Sequence, residues 1–161
     1  AGLAVFAAGE AAEPEAFRAA RLQLHQPLAF VNTLLLLTGG WCMARGVATL
    51  RRGAVPEARR RVLAAIATGA GFLVLKSVEY AQKLGLGVGF GDDTFFTLYF
   101  ALTGFHFLHV LAAVLLLAFV ARGLGRGAYG AADHLDVESC GIFWHMCDLV
   151  WLLLYPVLYL S

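Results

Sequence analysis

The sequence predicts an all-α membrane protein, a polytopic transmembrane helix bundle, and three observations predict it. Of the 161 residues 60% are apolar and only 14% are charged, outside the usual range of soluble domains. Four runs with little or no charge reach the roughly 20 residues that a hydrocarbon core about 30 Å thick requires of a helix. The connections between these runs are short and carry most of the charge. The expectation is a single transmembrane domain over 1–161, with four complete helices and the tail of a fifth at the N-terminus.

The chain opens at Ala1 without an initiator Met. Its apolar start, Ala1 to Ala8, is too short for a signal-peptide core with a charged flank. Residues 1–10 are therefore expected to be the tail of a truncated helix, followed by an acidic stretch with Glu10, Glu13 and Glu15. The first complete helix is expected over about 27–50, uncharged from Gln26 to Ala44, with Pro27 suited to a first helical turn. The second, about 59–84, is interrupted by Lys76 and Glu79. A Gly-rich connection at Gly85 to Gly91 leads to the third, about 94–121, whose only titratable groups apart from Tyr99 are His106 and His109; its length allows tilt. The fourth, about 137–160, carries His145 and Asp148. Within it Pro156 cannot bond the Leu152 carbonyl, so a kink is expected.

Basic residues set the orientation, because Lys and Arg near helix ends stay on the cytoplasmic side. Arg45, Arg51, Arg52, Arg59, Arg60 and Arg61, with Arg122 and Arg126, lie at one end, against Arg18, Arg21 and Lys83 at the other. This bias predicts a C-terminus on the periplasmic side of a bacterial cytoplasmic (inner) membrane. The net charge of +1, with cations confined to short loops, argues against a nucleic-acid partner. Cys42, Cys140 and Cys147 form no CxxC pair and read as small apolar residues.

Ionised groups at mid-bilayer cost roughly 2.5–3.5 kcal/mol each on the insertion scale, so those present should face other helices and find partners. Lys76 and Glu79, three residues apart, can pair on one helix face. His106 and His109 sit mid-helix with Thr103 on the same side, and Glu138, Gly141, His145 and Asp148 form a polar stripe. Counted at about 1.5 Å per residue, His109 and Asp148 share a depth at which an interhelix hydrogen bond is expected. The alternative is a metal-dependent integral membrane enzyme using the His106, His109, His145 and Asp148 cluster. The absence of a second carboxylate-plus-His pair of the ExxH kind that di-iron bundles use stands against it. A transporter with Lys76 and Glu79 on its pathway lacks the expected broken-helix repeat. Phe90, Phe95, Phe96, Tyr99, Trp151, Tyr155 and Tyr159 read as interfacial anchors. Gly39, Gly40, Gly69, Gly71 and Gly104 read as points of close helix approach. No nucleophile with an adjacent base, phosphate loop or HExxH is present, so no self-contained catalyst is suggested.

Four segments in order carry a resemblance: Pro-Leu-Ala-Phe-Val-Asn-Thr (27–33), Val-Glu-Tyr (78–80), Thr-Gly-Phe-His-Phe-Leu-His-Val (103–110), and Trp-His-Met-Cys-Asp-Leu-Val-Trp (144–151) with Leu-Tyr-Pro (154–156). Together they resemble subunit III of the haem-copper oxidase family, cytochrome c oxidase subunit 3. Phe-Phe-Thr-Leu-Tyr-Phe (95–100), the Leu-Tyr-Pro ending and Lys76 look most like the short five-helix branch associated with nitric oxide reductase, the E protein. The resemblance implies a non-catalytic accessory subunit in a hetero-oligomer with a haem-bearing catalytic membrane subunit. By the same resemblance this chain binds no cofactor itself; haem, with copper or non-haem iron, belongs to the partner, and phospholipids bind between helices. Asn32, Lys76, Glu79, His106, His109, Glu138, His145 and Asp148 then form an interhelix polar network or lipid contact.

Overall fold

A computed structural model of the chain describes residues 2–21, 24, 26–85 and 94–159. Two short helices come first, α1 (Gly2–Ala12) and α2 (Pro14–Arg21). Pro14 starts α2, where its missing N–H is of no consequence. Four long helices follow: α3 (Gln26–Arg51), α4 (Val55–Gly85), α5 (Thr94–Gly125) and α6 (Leu135–Tyr159). All four are long and apolar enough to cross a membrane, and no strand occurs among the described residues. Beyond Gly85, which ends α4, the Gly-rich connection, with Phe90, Asp92 and Asp93, lies outside the described residues.

Two glycines with positive φ end helices at the arginine-rich end of the bundle, Gly53 after α3 and Gly127 after α5. At the first, the amides of Gly53 and Ala54 return to the carbonyls of Leu50 (2.8 Å) and Thr49 (3.3 Å). At the second, the amides of Gly127 and Ala128 return to Leu124 (3.4 Å) and Gly123 (3.0 Å). Both are six-to-one closures that satisfy the last carbonyls, and they need a left-handed residue that only Gly adopts cheaply. α4 begins at Val55, before Arg59, so its basic first turns extend the helix past its apolar run. α6 continues through Pro156 to Tyr159.

α3 packs on α4 and α6, and α5 packs on the same two, which closes a ring of four helices. At its centre lies the Trp144 indole, 1% exposed. A Cβ at Gly39 or at Gly69 would come within 2.6 Å of that ring, so these two glycines make room for it. Gly71 makes only ordinary contact with Leu35, and Gly104 has nothing within 4 Å; at Gly104 no close helix approach occurs. α1 and α2 pack on α5, where Phe6, Phe17 and Phe95 meet edge to face with centroids 5.2–5.7 Å apart. Phe105, Leu108, Leu115 and Phe119 of α5 point outward, an apolar face suited to lipid.

Candidate functional site: polar groups within the helix bundle

The most enclosed polar cluster sits where the second half of α4 meets the start of α5 and the end of α6. Lys76 and Glu79, one turn apart on α4, are both fully buried. An ammonium has three protons to donate. Those of Lys76 go to Glu79 Oε2 (2.9 Å), Tyr99 Oη (2.8 Å) and Tyr159 Oη (2.8 Å). The two phenols in turn donate to Glu79 Oε1, at 2.5 Å from Tyr99 and 3.0 Å from Tyr159. The cation is thereby saturated and the carboxylate accepts on both oxygens, the condition under which a buried pair repays its desolvation. Lys83 lies over the rings of Tyr99 (5.2 Å) and Phe96 (5.7 Å), extending the cluster toward the helix ends. Gln26 Nε2 donates to the Tyr159 carbonyl at 3.0 Å, and Trp151 Nε1 donates to Thr33 Oγ1 at 2.9 Å. Both bonds tie α6 to α3.

The histidines separate. His106 is 1% exposed, stacked on Trp151 (5.1 Å) and edge-on to Phe72 (5.6 Å), with neither ring nitrogen hydrogen-bonded to a described residue. His109 turns to the rim of α5, where Nδ1 bonds the Phe105 carbonyl one turn back (2.8 Å) and the ring stacks on Phe143. The expected His109–Asp148 bond is therefore not made. The buried stripe of α5 runs through Tyr99, Thr103, His106 and Val110, which rotates His109 off the interior.

Asp148 instead faces His145 on its own helix, with Oδ2 at 3.6 Å from Nδ1, too long for a hydrogen bond but within electrostatic reach. Asp148 lies against Gly40 of α3, where a Cβ would collide with Oδ2. Its other oxygen, Oδ1, is buried with no partner among the described residues. Asn32 of α3 is likewise fully buried without a described partner. Glu138 stands at the arginine-rich end, accepts from Arg51 Nε (2.6 Å) and has His134 Nε2 3.0 Å away. Among the described residues no three His, Cys, Asp or Glu side chains gather into a metal-holding group. The four residues of the metal-enzyme alternative thus lie in three different environments.

Sequence reasoning missed Tyr99, Tyr159 and Trp151, read there as interfacial anchors. All three are buried, at 0–1% exposure, and take part in the interhelix bonding. The signal available was spacing: Tyr99, Thr103 and His106 lie on one face of α5, and Thr103 Oγ1 bonds the Tyr99 carbonyl at 2.7 Å.

The family model described as cytochrome c oxidase subunit III matches residues 15–161. Cytochrome c oxidase subunit 3 of Thermostichus vulcanus is 33% identical over 131 residues, 81% of this chain and 64% of that protein. The subunit 3 of Synechocystis sp. is 31% identical over 139 residues, covering 86% of this chain and 58% of the relative. That of Corynebacterium diphtheriae is 31% identical over 136 residues, 84% and 66% respectively. The chain thus spans about three fifths to two thirds of the length of these relatives.

Proposed function

The chain belongs to the cytochrome c oxidase subunit III family, and we propose that it serves as a non-catalytic accessory subunit of a haem-copper oxidase complex. In this reading it stabilises the haem-bearing catalytic subunit laterally within the membrane and holds phospholipid between helices. One observation carries the reading: the most buried ionisable groups are spent on one another, with Lys76, Glu79, Tyr99 and Tyr159 closing a bonded unit across three helices. Such a unit fixes the relative positions of α4, α5 and α6 and offers a partner a rigid surface. The histidines do not converge: His106 lies between aromatic rings, His109 bonds its own helix, and His145 stands beside Asp148. Haem and copper, or non-haem iron, then take their ligands from the partner.

A groove of about 340 Å³ between α1, α5 and α6, with Leu102, Phe105, Val150 and Leu153 on its walls, supports the lipid role. It suits an acyl chain. The arginine bias supports a bacterial inner-membrane location with a periplasmic C-terminus, which a reporter fused after Ser161 tests by its activity on that side.

A second reading, a nitric oxide reductase host, rests on the resemblance of Lys76, residues 95–100 and the Leu-Tyr-Pro ending to the short branch. Lys76 and Tyr99, both from the segments that look like the short branch, hydrogen-bond at 2.8 Å and so form one structural feature. Both readings are tested by extracting the tagged chain in mild detergent and recording a reduced-minus-oxidised spectrum with oxygen and nitric oxide consumption. Copurified haem in a separate polypeptide is the expected result, and the gas consumed identifies the host. Haem ligated by this chain itself would overturn both.

A further inference from the structure

We infer that the α3/α6 face is the docking surface for one transmembrane helix of the partner subunit, a helix that presents a hydroxyl or carboxamide side chain to His145. The inference rests on the accessory-subunit reading and specifies which face of the bundle performs it. His145 lies ten residues into α6, at about 1.5 Å per residue some 15 Å along the helix, within the hydrocarbon span. Its side chain is nonetheless 47% exposed, against 8% for Asp148 beneath it. The arrangement is built by two helices: Gly40 of α3 leaves space for Asp148, Asp148 faces Nδ1, and Nε2 makes no hydrogen bond to a described residue. Lipid tails offer that nitrogen no hydrogen bond. Whichever of Nδ1 and Asp148 holds the proton between them, Nε2 remains a donor or an acceptor, and a hydroxyl or an amide answers either.

The surroundings favour a helix as occupant. Next to His145 runs a groove of about 230 Å³ between α3 and α6, bordered by the small Ala44 and Ala48 and the larger Val47 and Ile142, and ending at the Arg51–Glu138 pair. Small residues let a second backbone approach closely, and a polar pair at the end of the groove meets the interfacial end of that helix. The outermost row of α5 differs. On α5, Phe105, Leu108, Leu115 and Phe119 are wholly apolar, and α1 and α2 pack on that helix, so the described N-terminal segment lies away from the α3/α6 groove.

The test uses the whole chain in its native membrane, with a photo-crosslinking amino acid in place of Ala44, Ala48 or Leu115. Position 44 or 48 is expected to crosslink to the haem-bearing subunit and position 115 to lipid. Crosslinks from 44 and 48 to lipid alone, or to a second copy of this chain, overturn the inference. In parallel, His145→Leu should reduce haem recovered per tagged chain by about three- to tenfold, the range for one interhelix hydrogen bond in a membrane. His145→Asn, which can still bond, should recover most of it. Equal recovery by the two variants overturns the role of His145. If the unmodified chain retains no haem protein, the accessory-subunit reading fails first, and it fails visibly before any variant is compared.

Discussion

Two ionisable pairs in this bundle have the same spacing along a helix and opposite fates. Lys76–Glu79 on α4 and His145–Asp148 on α6 are both one turn apart, yet the first closes at 2.9 Å with both side chains fully buried and the second stands at 3.6 Å with its imidazole half exposed. The difference comes from what the neighbouring helices contribute. Around Lys76, α5 and α6 bring Tyr99 and Tyr159, so every proton on the ammonium has an acceptor inside the chain. Around Asp148, α3 brings Gly40, which supplies space and no polar group. Spacing on one helix therefore shows that a pair is possible; the residues facing it decide whether the pair is finished internally or left open.

The sharpest way to break this comparison is to unbalance the closed pair. Lys76→Met leaves a buried carboxylate without its cation and should cost about 3–5 kcal/mol, a large share of the stability of a small bundle. Adding Glu79→Gln should restore much of the loss, because the uncompensated charge is then gone. Denaturant unfolding of the detergent-solubilised chain reads both. A double variant no more stable than Lys76→Met would mean that the two side chains do not depend on each other.

Removing one phenol should have the next largest effect. Tyr159→Phe deletes the hydroxyl that accepts from Lys76 and donates to Glu79, bonds to charged groups that are typically worth about 1.5–3 kcal/mol. If Tyr159 were only an interfacial anchor, Phe would serve as well and the unfolding midpoint would not move. The open pair has its own perturbation. Gly40→Ala drives a methyl into Asp148 and should cost about 1–3 kcal/mol as overpacking, whereas Gly104→Ala, with open space around it, should be neutral or stabilise by up to about 1 kcal/mol. Equal effects at the two glycines would remove the steric account of how Asp148 is seated.

What could be read in the sequence follows the same division. The four long helices were legible because hydrocarbon thickness imposes a minimum apolar length that composition satisfies or does not. The Lys76–Glu79 contact was legible because both residues lie on one helix, where spacing fixes proximity. The phenols that complete it were not, since a tyrosine near a helix end has the same pattern whether it anchors at the interface or turns inward. The expected His109–Asp148 bond failed for a related reason: counting residues gives depth in the membrane but not rotation about the helix axis. Val110 and His106 take the inner face of α5, and His109 is left at its edge. Gly104 shows the same limit, being small in a helix yet facing no neighbour.

The smallest effect belongs to a third polar contact, and it sharpens the contrast because its distance is the shortest of the three. Arg51 Nε and Glu138 Oε1 approach to 2.6 Å, shorter than the Lys76–Glu79 contact, but their side chains are 60% and 21% exposed at the arginine-rich end of the bundle. Water and salt reach such a pair in both the folded and the unfolded chain, so a short distance gains little there. Glu138→Gln should accordingly leave the unfolding midpoint at the wild-type value within replicate scatter, and any loss that is seen should vanish at high ionic strength. A salt-independent destabilisation approaching that of Tyr159→Phe would show that enclosure by other helices is not what separates these pairs. In the complex, Glu138→Gln is expected to matter more than in the isolated chain, since a helix seated in the groove at Ala44 and Ala48 would shield the same contact from water.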